Sequence, residues 1–383
     1  MRKLLCVVGL LTCASVVWAK PQEVTVDQLR QAVASRTAAH DSDENLARYL
    51  GGLQLTERLT QKSLDGMVAE DKPGPKTKLE LELLADASAF LEPPVTELPP
   101  QAVPAAASQQ AMLNAAVQYV AGTFKRLPNF LATRLTRSFD DTPLVVTHSG
   151  WSPSNTELHL AGTFDQEVTY RDGREAALRS VTTSGRDTKQ GASPPGLTST
   201  GEFGPVLVTV LRDASKGKIE WSHWETEKAG TVAVFNYTVP EASSHYEVNF
   251  CCVRGSEDEA NYGGGLEGPG LRAPDNAYHG KPAYHGTITI DPETGTIERI
   301  TIDPELKADG PIMRSAIEVE YGPVEIGGKN YTCPLHSIAI SNVKTMLGGD
   351  MGARSILRIN EVTFTDYHRF GSTSHIVSGD SLN

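Results

Sequence analysis

Residues 218–254 contain three runs of alternating apolar and polar side chains joined by short turns, and no other stretch limits the fold as tightly. Residues 231–239 read T-V-A-V-F-N-Y-T-V, and Tyr246, Val248, Phe250 and Cys252 alternate with Glu247, Asn249 and Cys251. Period-two alternation in β-branched and aromatic residues is the pattern of a strand with one buried face. Turn-forming residues at 227–230 and 240–244 separate the runs, and such connections are too short for the crossover that parallel strands need. The stretch predicts an antiparallel meander.

The beginning of the chain points to export. Arg2 and Lys3 precede an apolar run at 4–17, and Val17 and Ala19 put small residues three and one before a cut. This is the pattern of a secretory signal peptide, too short for a stable transmembrane span, and it predicts cleavage after Ala19 and a periplasmic or extracellular mature protein. Acylation at Cys13 is disfavoured by the bulky, polar Thr12 before it. No later run approaches the roughly 20 apolar residues of a membrane span. Loss of Arg2 and Lys3 takes the formal charge from −12 to −14. An acidic chain without basic clusters argues against nucleic acid and anionic lipid headgroups as partners.

Of the five cysteines, Cys251, Cys252 and Cys333 remain after cleavage, in an oxidising compartment. Cys252 shares a strand face with Tyr246, Val248 and Phe250, and Cys333 follows Tyr331 on another strand. We expect a Cys252–Cys333 bridge, worth about 2–4 kcal/mol, with Cys251 free.

Periodicity divides the rest. Residues 20–92 are expected to form a small helical region, with Thr25 capping a first helix, a second start at 41–44, a restart at Thr56 or Thr60, and a further helix over about 76–91. A Pro/Ala-rich linker follows at 93–108. From 109 to 371 we expect one antiparallel domain. It opens with a helix at 109–126 bearing Met112, Ala116, Tyr119, Val120 and Phe124 on one stripe. A strand at 130–139, a hairpin turning at Asp172 and Gly173, and a helix through 203–214 follow. That helix is read from Phe203, Val206, Leu207, Val210, Leu211 and Ala214 at helical spacing. Further hairpins turn at 291–295 and at Gly327 and Gly328, and a last strand over 356–370 changes phase near Asn360, which suggests a bulge. The Gly-rich insertion at 255–283 reads as a surface loop and 372–383 as a tail.

No catalytic, cofactor or metal set emerges. Gly263, Gly265 and Gly268 have nucleotide-loop spacing, but Pro269 and Gly270 stand where a helix should start. His223, His245, His279 and His285 lack metal-ligand spacing. Ser149 lacks a nucleophile-elbow context. Acidic residues such as Glu318 and Glu320 fall on polar strand faces, and nothing singles out a carboxylate pair. Trp221 and Trp224 either take opposite strand faces or flank a bulge.

The order of helix, strand, antiparallel strands, internal helix and closing hairpins resembles the lipoprotein-localisation fold of periplasmic outer-membrane lipoprotein carriers. I-T-I-D-P-E-T-G-T-I-E-R-I at 288–300 and V-E-I-G-G-K-N-Y-T-C-P at 324–334 resemble hairpins of that fold. The resemblance covers about 109–370 and implies an α+β fold, a curled antiparallel sheet forming an incomplete β-barrel with helices on its concave face. L-P-N-F-L-A-T-R at 127–134, E-F-G-P-V-L at 202–207, W-S-H-W-E at 221–225, Phe250-Cys251-Cys252 and V-E-Y-G-P-V-E-I-G-G at 319–328 resemble a family of exported Acidobacteria proteins with no assigned activity. Two non-enzymatic readings follow. In one, Met112, Tyr119, Phe124, Phe203, Leu207, Val210 and Leu211 line an apolar hollow that holds an acyl chain or other amphiphile. In the other, the chain is a structural or protein-interaction module of the cell envelope whose own helices fill its core and whose N-terminal helices meet a partner.

Overall fold

The computed structural model describes residues 21–123, 126–141, 158–185, 197, 201–227, 230–250, 278–308, 310–346 and 353–369. The fold is α+β, with a large antiparallel sheet that does not close on itself. The expected signal peptide at 1–19, the glycine triplet of the insertion, Ser149 and the tail lie outside the described residues.

The N-terminal unit begins with a strand, β1 (Gln22–Val24), and helix α1 (Val26–Ala38). Thr25 and Gln28 form a reciprocal capping box at the start of α1, satisfying donors that the first turn leaves open. Ser42 caps α2 (Asp43–Gly51) and Thr60 caps α3 (Gln61–Asp71). Pro75 is the first residue of α4 (Pro75–Ser88), where its missing N–H costs nothing. A short strand, β2 (Leu53–Leu55), pairs with β1 in parallel, an element that helical periodicity did not reveal. Leu29, Val33, Leu50, Leu81 and Met67 are almost fully buried in a core drawn wholly from this unit. Beyond it, residues 98–105 lack helix or strand, and α5 (Ala106–Thr123) starts three residues before the expected Gln109.

The sheet is built from β3 (Phe130–Asp140), β4 (His159–Arg171), β5 (Arg174–Gly185), β6 (Lys218–Glu227), β7 (Gly230–Val239), β10 (Tyr284–Ile290), β11 (Ile297–Pro304), β12 (Ile312–Glu325), β13 (Asn330–Met346) and β14 (Ala353–Arg369). Its spatial order is β5-β4-β3-β14-β13-β12-β11-β10-β7-β6, and every pairing is antiparallel. Asp172 and Gly173 both take positive φ, 54° and 81°, as a two-residue hairpin turn between twisted strands requires. Helix α6 (Pro205–Ala214) lies between β5 and β6 in the chain.

Two expectations about the strands need correction. The third run of the meander, β8 (Val248–Phe250), does not join the sheet: β10 takes the free edge of β7, pairing Ile288 with Phe235 and Tyr284 with Val239. β8 instead pairs with β9 (Tyr278–Gly280), which falls inside the segment expected to be a Gly-rich loop. The irregularity in β14 lies between Thr365 and His368, where Asp366 has φ 52°, and the register runs unbroken through Asn360. The phase change arises because neighbouring strands are covered on both faces, so apolar residues need not alternate strictly.

Helices α5 and α6 cover one face of the sheet, and the N-terminal unit lies against the other. Residues Ser315 to Val319 of β12 are accordingly buried without a break. The backbones of β10 and β11 approach closely at Gly286, where a Cβ would lie 2.0 Å from the Thr301 carbonyl oxygen and 2.9 Å from the Tyr237 hydroxyl. Gly286→Ala should therefore destabilise the chain by about 1–3 kcal/mol through overpacking, lowering the urea midpoint without changing the slope.

Candidate functional site

The helix-covered face of the sheet holds most of the residues expected to line a hollow. Met112, Ala116 and Val120 of α5 and Val206, Leu207, Val210 and Leu211 of α6 are at most 9% exposed and pack with Phe235, Ile288, Ile300 and Val319. Tyr119 packs at the margin and hydrogen-bonds the Thr332 hydroxyl. Phe124 lies outside the described residues. Phe203 belongs elsewhere: it precedes α6 and packs with tilted or edge-on rings among Phe130, Tyr170 and Phe364 at the β3–β4–β14 end of the same face. Chain reversal at Gly201 and Gly204, with φ 86° and 148°, takes it out of the helical series that its spacing suggested.

Beside Phe203, Glu202 meets Arg134 at 3.5 Å, both fully buried. Glu175 accepts a hydrogen bond from the Gly201 amide at 2.9 Å. Burial first, then the Glu202 charge, pushes the Glu175 carboxyl up to about 7, against the pull of Arg134 and the Gly201 and Phe203 amides. These groups brace the turn that enters α6.

Cys333 sits in the same aromatic cluster, buried and free, with its thiol pushed up to about 12 by burial. Cys252, the expected partner of Cys333 in a bridge, lies outside the described residues. Val248 packs on Ile312 and Val343 at the opposite end of β12 and β13.

The other face carries a row of charges that the N-terminal unit seals. Arg58, in the loop between β2 and α3, donates from Nη2 to Glu225 Oε2 at 2.6 Å, and Arg299 of β11 donates to the same oxygen at 2.8 Å. His223 meets the second Glu225 oxygen at 2.8 Å, and Arg299 Nη1 lies 3.9 Å from Glu318. Further along, Arg137 of β3 donates to Glu361 at 2.6 Å and to Glu82 of α4 at 3.4 Å. His336 of β13 lies 3.6 Å from Glu361 and 3.8 Å from Glu320. Arg58, Asp86, Glu225, Arg299 and Glu318 are all under 9% exposed.

Such burial has electrostatic consequences. The Glu225 carboxyl is depressed despite its desolvation, because His223 and Arg58 hold the anion. Burial likewise opposes the Arg58 charge, and Glu225 and Glu318 more than restore it. Glu318 is pushed up to about 8 by burial and then by Glu320; Asp86 reaches about 8 by burial and then by Glu361. A cleft of about 90 Å³ lies between the layers, room for a few waters. Arg58 Nε, Arg299 Nε, Glu318 Oε2 and Asp86 Oδ2 have no hydrogen-bond partner among the described residues. Among the described residues no three His, Cys, Asp or Glu side chains converge as metal ligands.

The alternation puts Glu318 and Glu320 on a polar strand face, where Glu320 is exposed and Glu318 is buried, and it does not single out Arg58 or Arg299. The available signal was charge complementarity: Arg299 stands opposite Glu320 in the register, inside a strand otherwise rich in isoleucine. Trp221 and Trp224 flank a bulge and touch edge to face at 4.8 Å, the second alternative open in the sequence. No family model, curated protein or solved structure matches this chain.

Removing one partner from a buried ion cluster leaves an uncompensated charge. Arg58→Met should cost about 3 kcal/mol in thermal or denaturant unfolding, near the lower end of the usual range because Arg299 and His223 still hold Glu225. Arg58→Lys should recover only part of the loss, since an ammonium lacks the planar fork.

Proposed function

We propose that this chain is a non-catalytic interaction module of the cell envelope, with an apolar core filled by its own helices and an N-terminal helical unit that meets a partner. The observation that carries the reading is the burial of Leu207, Val210 and Leu211 of α6, together with Met112 and Val120 of α5, against the sheet. An acyl chain on that face would have to displace side chains that already occupy it. The signal-like pattern of residues 1–19 supports export, and the −12 formal charge gives no reason to expect nucleic acid.

The proposal includes a finer shape for the sheet, curled and incompletely closed, with its concave side toward α5 and α6. It is supported by the way β7, β10, β11, β12 and β13 all contribute to one cluster around two short helices, with Trp221 and Trp224 of β6 at its edge. Such a shape would agree with the resemblance to the lipoprotein-localisation fold while removing its ligand space.

Two measurements on the mature chain test the reading. Titration with a fluorescent fatty acid should give no saturable binding, and a photo-crosslinker at Gln31, exposed on α1, should give a discrete adduct in the envelope of the source cell. Saturable, stoichiometric fatty-acid binding would restore the carrier reading, and a crosslinker that yields no adduct would count against a partner at these helices.

A further inference from the structure

The N-terminal unit and the sheet have separate apolar cores, joined by ion pairs and one apolar patch. One small apolar patch crosses between them: Ala89, with Phe90, meets Ile338, Ile340 and Ile359. Phe90 also lies under the Arg314 guanidinium at 5.3 Å. The remaining cross-layer contacts described above are Arg58 to Glu225 and Arg137 to Glu82, with Glu92 3.6 Å from His223. Glu97 accepts from Thr60 and Ser63 at 2.6 Å each, so residues up to 97 belong with the helical unit. Trp224 Nε1 donates to Ala102 at 2.9 Å, so residue 102 belongs with the sheet. A segment without helix or strand lies between these two anchors.

We propose that the N-terminal helical unit is a proton-controlled cover for the ionic face of the sheet, docked in mildly acidic and neutral medium and lifted off reversibly in mildly alkaline medium. The hinge is the segment between Glu97 and Ala102. This inference does not depend on the function proposed above.

Geometry makes the seam sensitive, because the groups facing one another are mostly acids. From the helical unit come Arg58, Lys62, Glu82, Asp86, Glu92 and Glu97. The sheet offers Glu225, Glu227 and His223 from β6, with Glu298 and Arg299 from β11. Glu318 and Glu320 come from β12, His336 from β13, Glu361 from β14 and Arg137 from β3.

The direction follows from the protons. Asp86 and Glu318 are pushed up to about 8 as described, and Glu227 to about 7, by burial and then by Glu225. Burial opposes the charge on His336, but the adjacent Glu361 carboxylate and the charges of Glu320 and Asp86 outweigh that and raise it to about 9. In an opened, solvated state the carboxyls would titrate near about 4 and the imidazole near about 6.5. The docked state therefore holds these protons more tightly. Its advantage is fully present below the open-state values and is lost as pH rises through about 7 for Glu227, 8 for Asp86 and Glu318, and 9 for His336. Glu225 and Glu361 are depressed and act in the opposite sense, contributing above the usual carboxylate range and failing only in acid.

Small-angle X-ray scattering of the mature chain across pH 6 to 9.5, with far-UV circular dichroism on the same samples, tests the cover. We expect the maximum dimension to rise above pH 8 with unchanged secondary structure, and to return at pH 6. Asp86→Asn with Glu318→Gln replaces both acids by neutral amides and should keep the chain compact to a higher pH. A wild-type dimension that ignores pH, an expansion accompanied by loss of secondary structure, or a variant that opens at the wild-type pH would each overturn the proposal. If the double variant does not fold, Glu227→Gln at the rim must by itself move the opening to higher pH, and an unmoved midpoint overturns it.

Discussion

The Glu225 carboxylate, shared by Arg58 from one layer and Arg299 from the other, is the contact on which the stacking of this molecule depends. A sheet whose central strands carry Glu318, Glu320, Arg299 and His336 on one face would ordinarily leave that face in water. Covering it requires that each charge find a partner, because an isolated buried ion is prohibitively unfavourable. Arg58 supplies the counter-charge from the loop that enters α3. The same loop is tied to the helical core through Leu59, which is buried among Leu55, Leu64 and Leu84. One short segment thus anchors in an apolar core and, one residue away, in an ionic one.

The opposite face follows simpler rules. Apolar residues of α5 and α6 meet the isoleucines and aromatics of β7 and β10 to β12, and burial of each such side chain contributes roughly 1.5–3 kcal/mol. Charged groups occur on that side too, as where Glu202 meets Arg134. Asp213, at the end of α6, accepts from the His245 amide, the His245 ring and the Tyr284 hydroxyl at 2.7, 2.7 and 3.0 Å, fixing the segment after β7 to the helix. Those bonds outweigh burial and hold its carboxyl below the usual range. One face therefore gives rigidity and the other makes the docking of a second unit conditional on charge.

Much of this was legible in the sequence where the physics is local. Thr25 and Thr60 mark helix starts through backbone donors that their side chains satisfy, and Asp172 with Gly173 marks a turn through positive φ. The stripe of Val206, Leu207, Val210 and Leu211 announced a helix against a sheet. What depends on distant pairing was not legible. β8 reads like its neighbour β7, yet β10 wins that edge from 45 residues further along the chain, as the Tyr284 to Val239 register shows. Glu318 and Arg58 look like surface residues, because a strand's polar face gives no sign of what will later cover it.

The claim that an ionic contact joins the two layers is tested most directly by a double-mutant cycle between Arg58→Met and Glu225→Gln, read by denaturant unfolding at pH 7. A pair in direct contact within one network should show a coupling energy of about 0.5–3 kcal/mol. Additive losses, with no coupling between the two positions, would contradict the account.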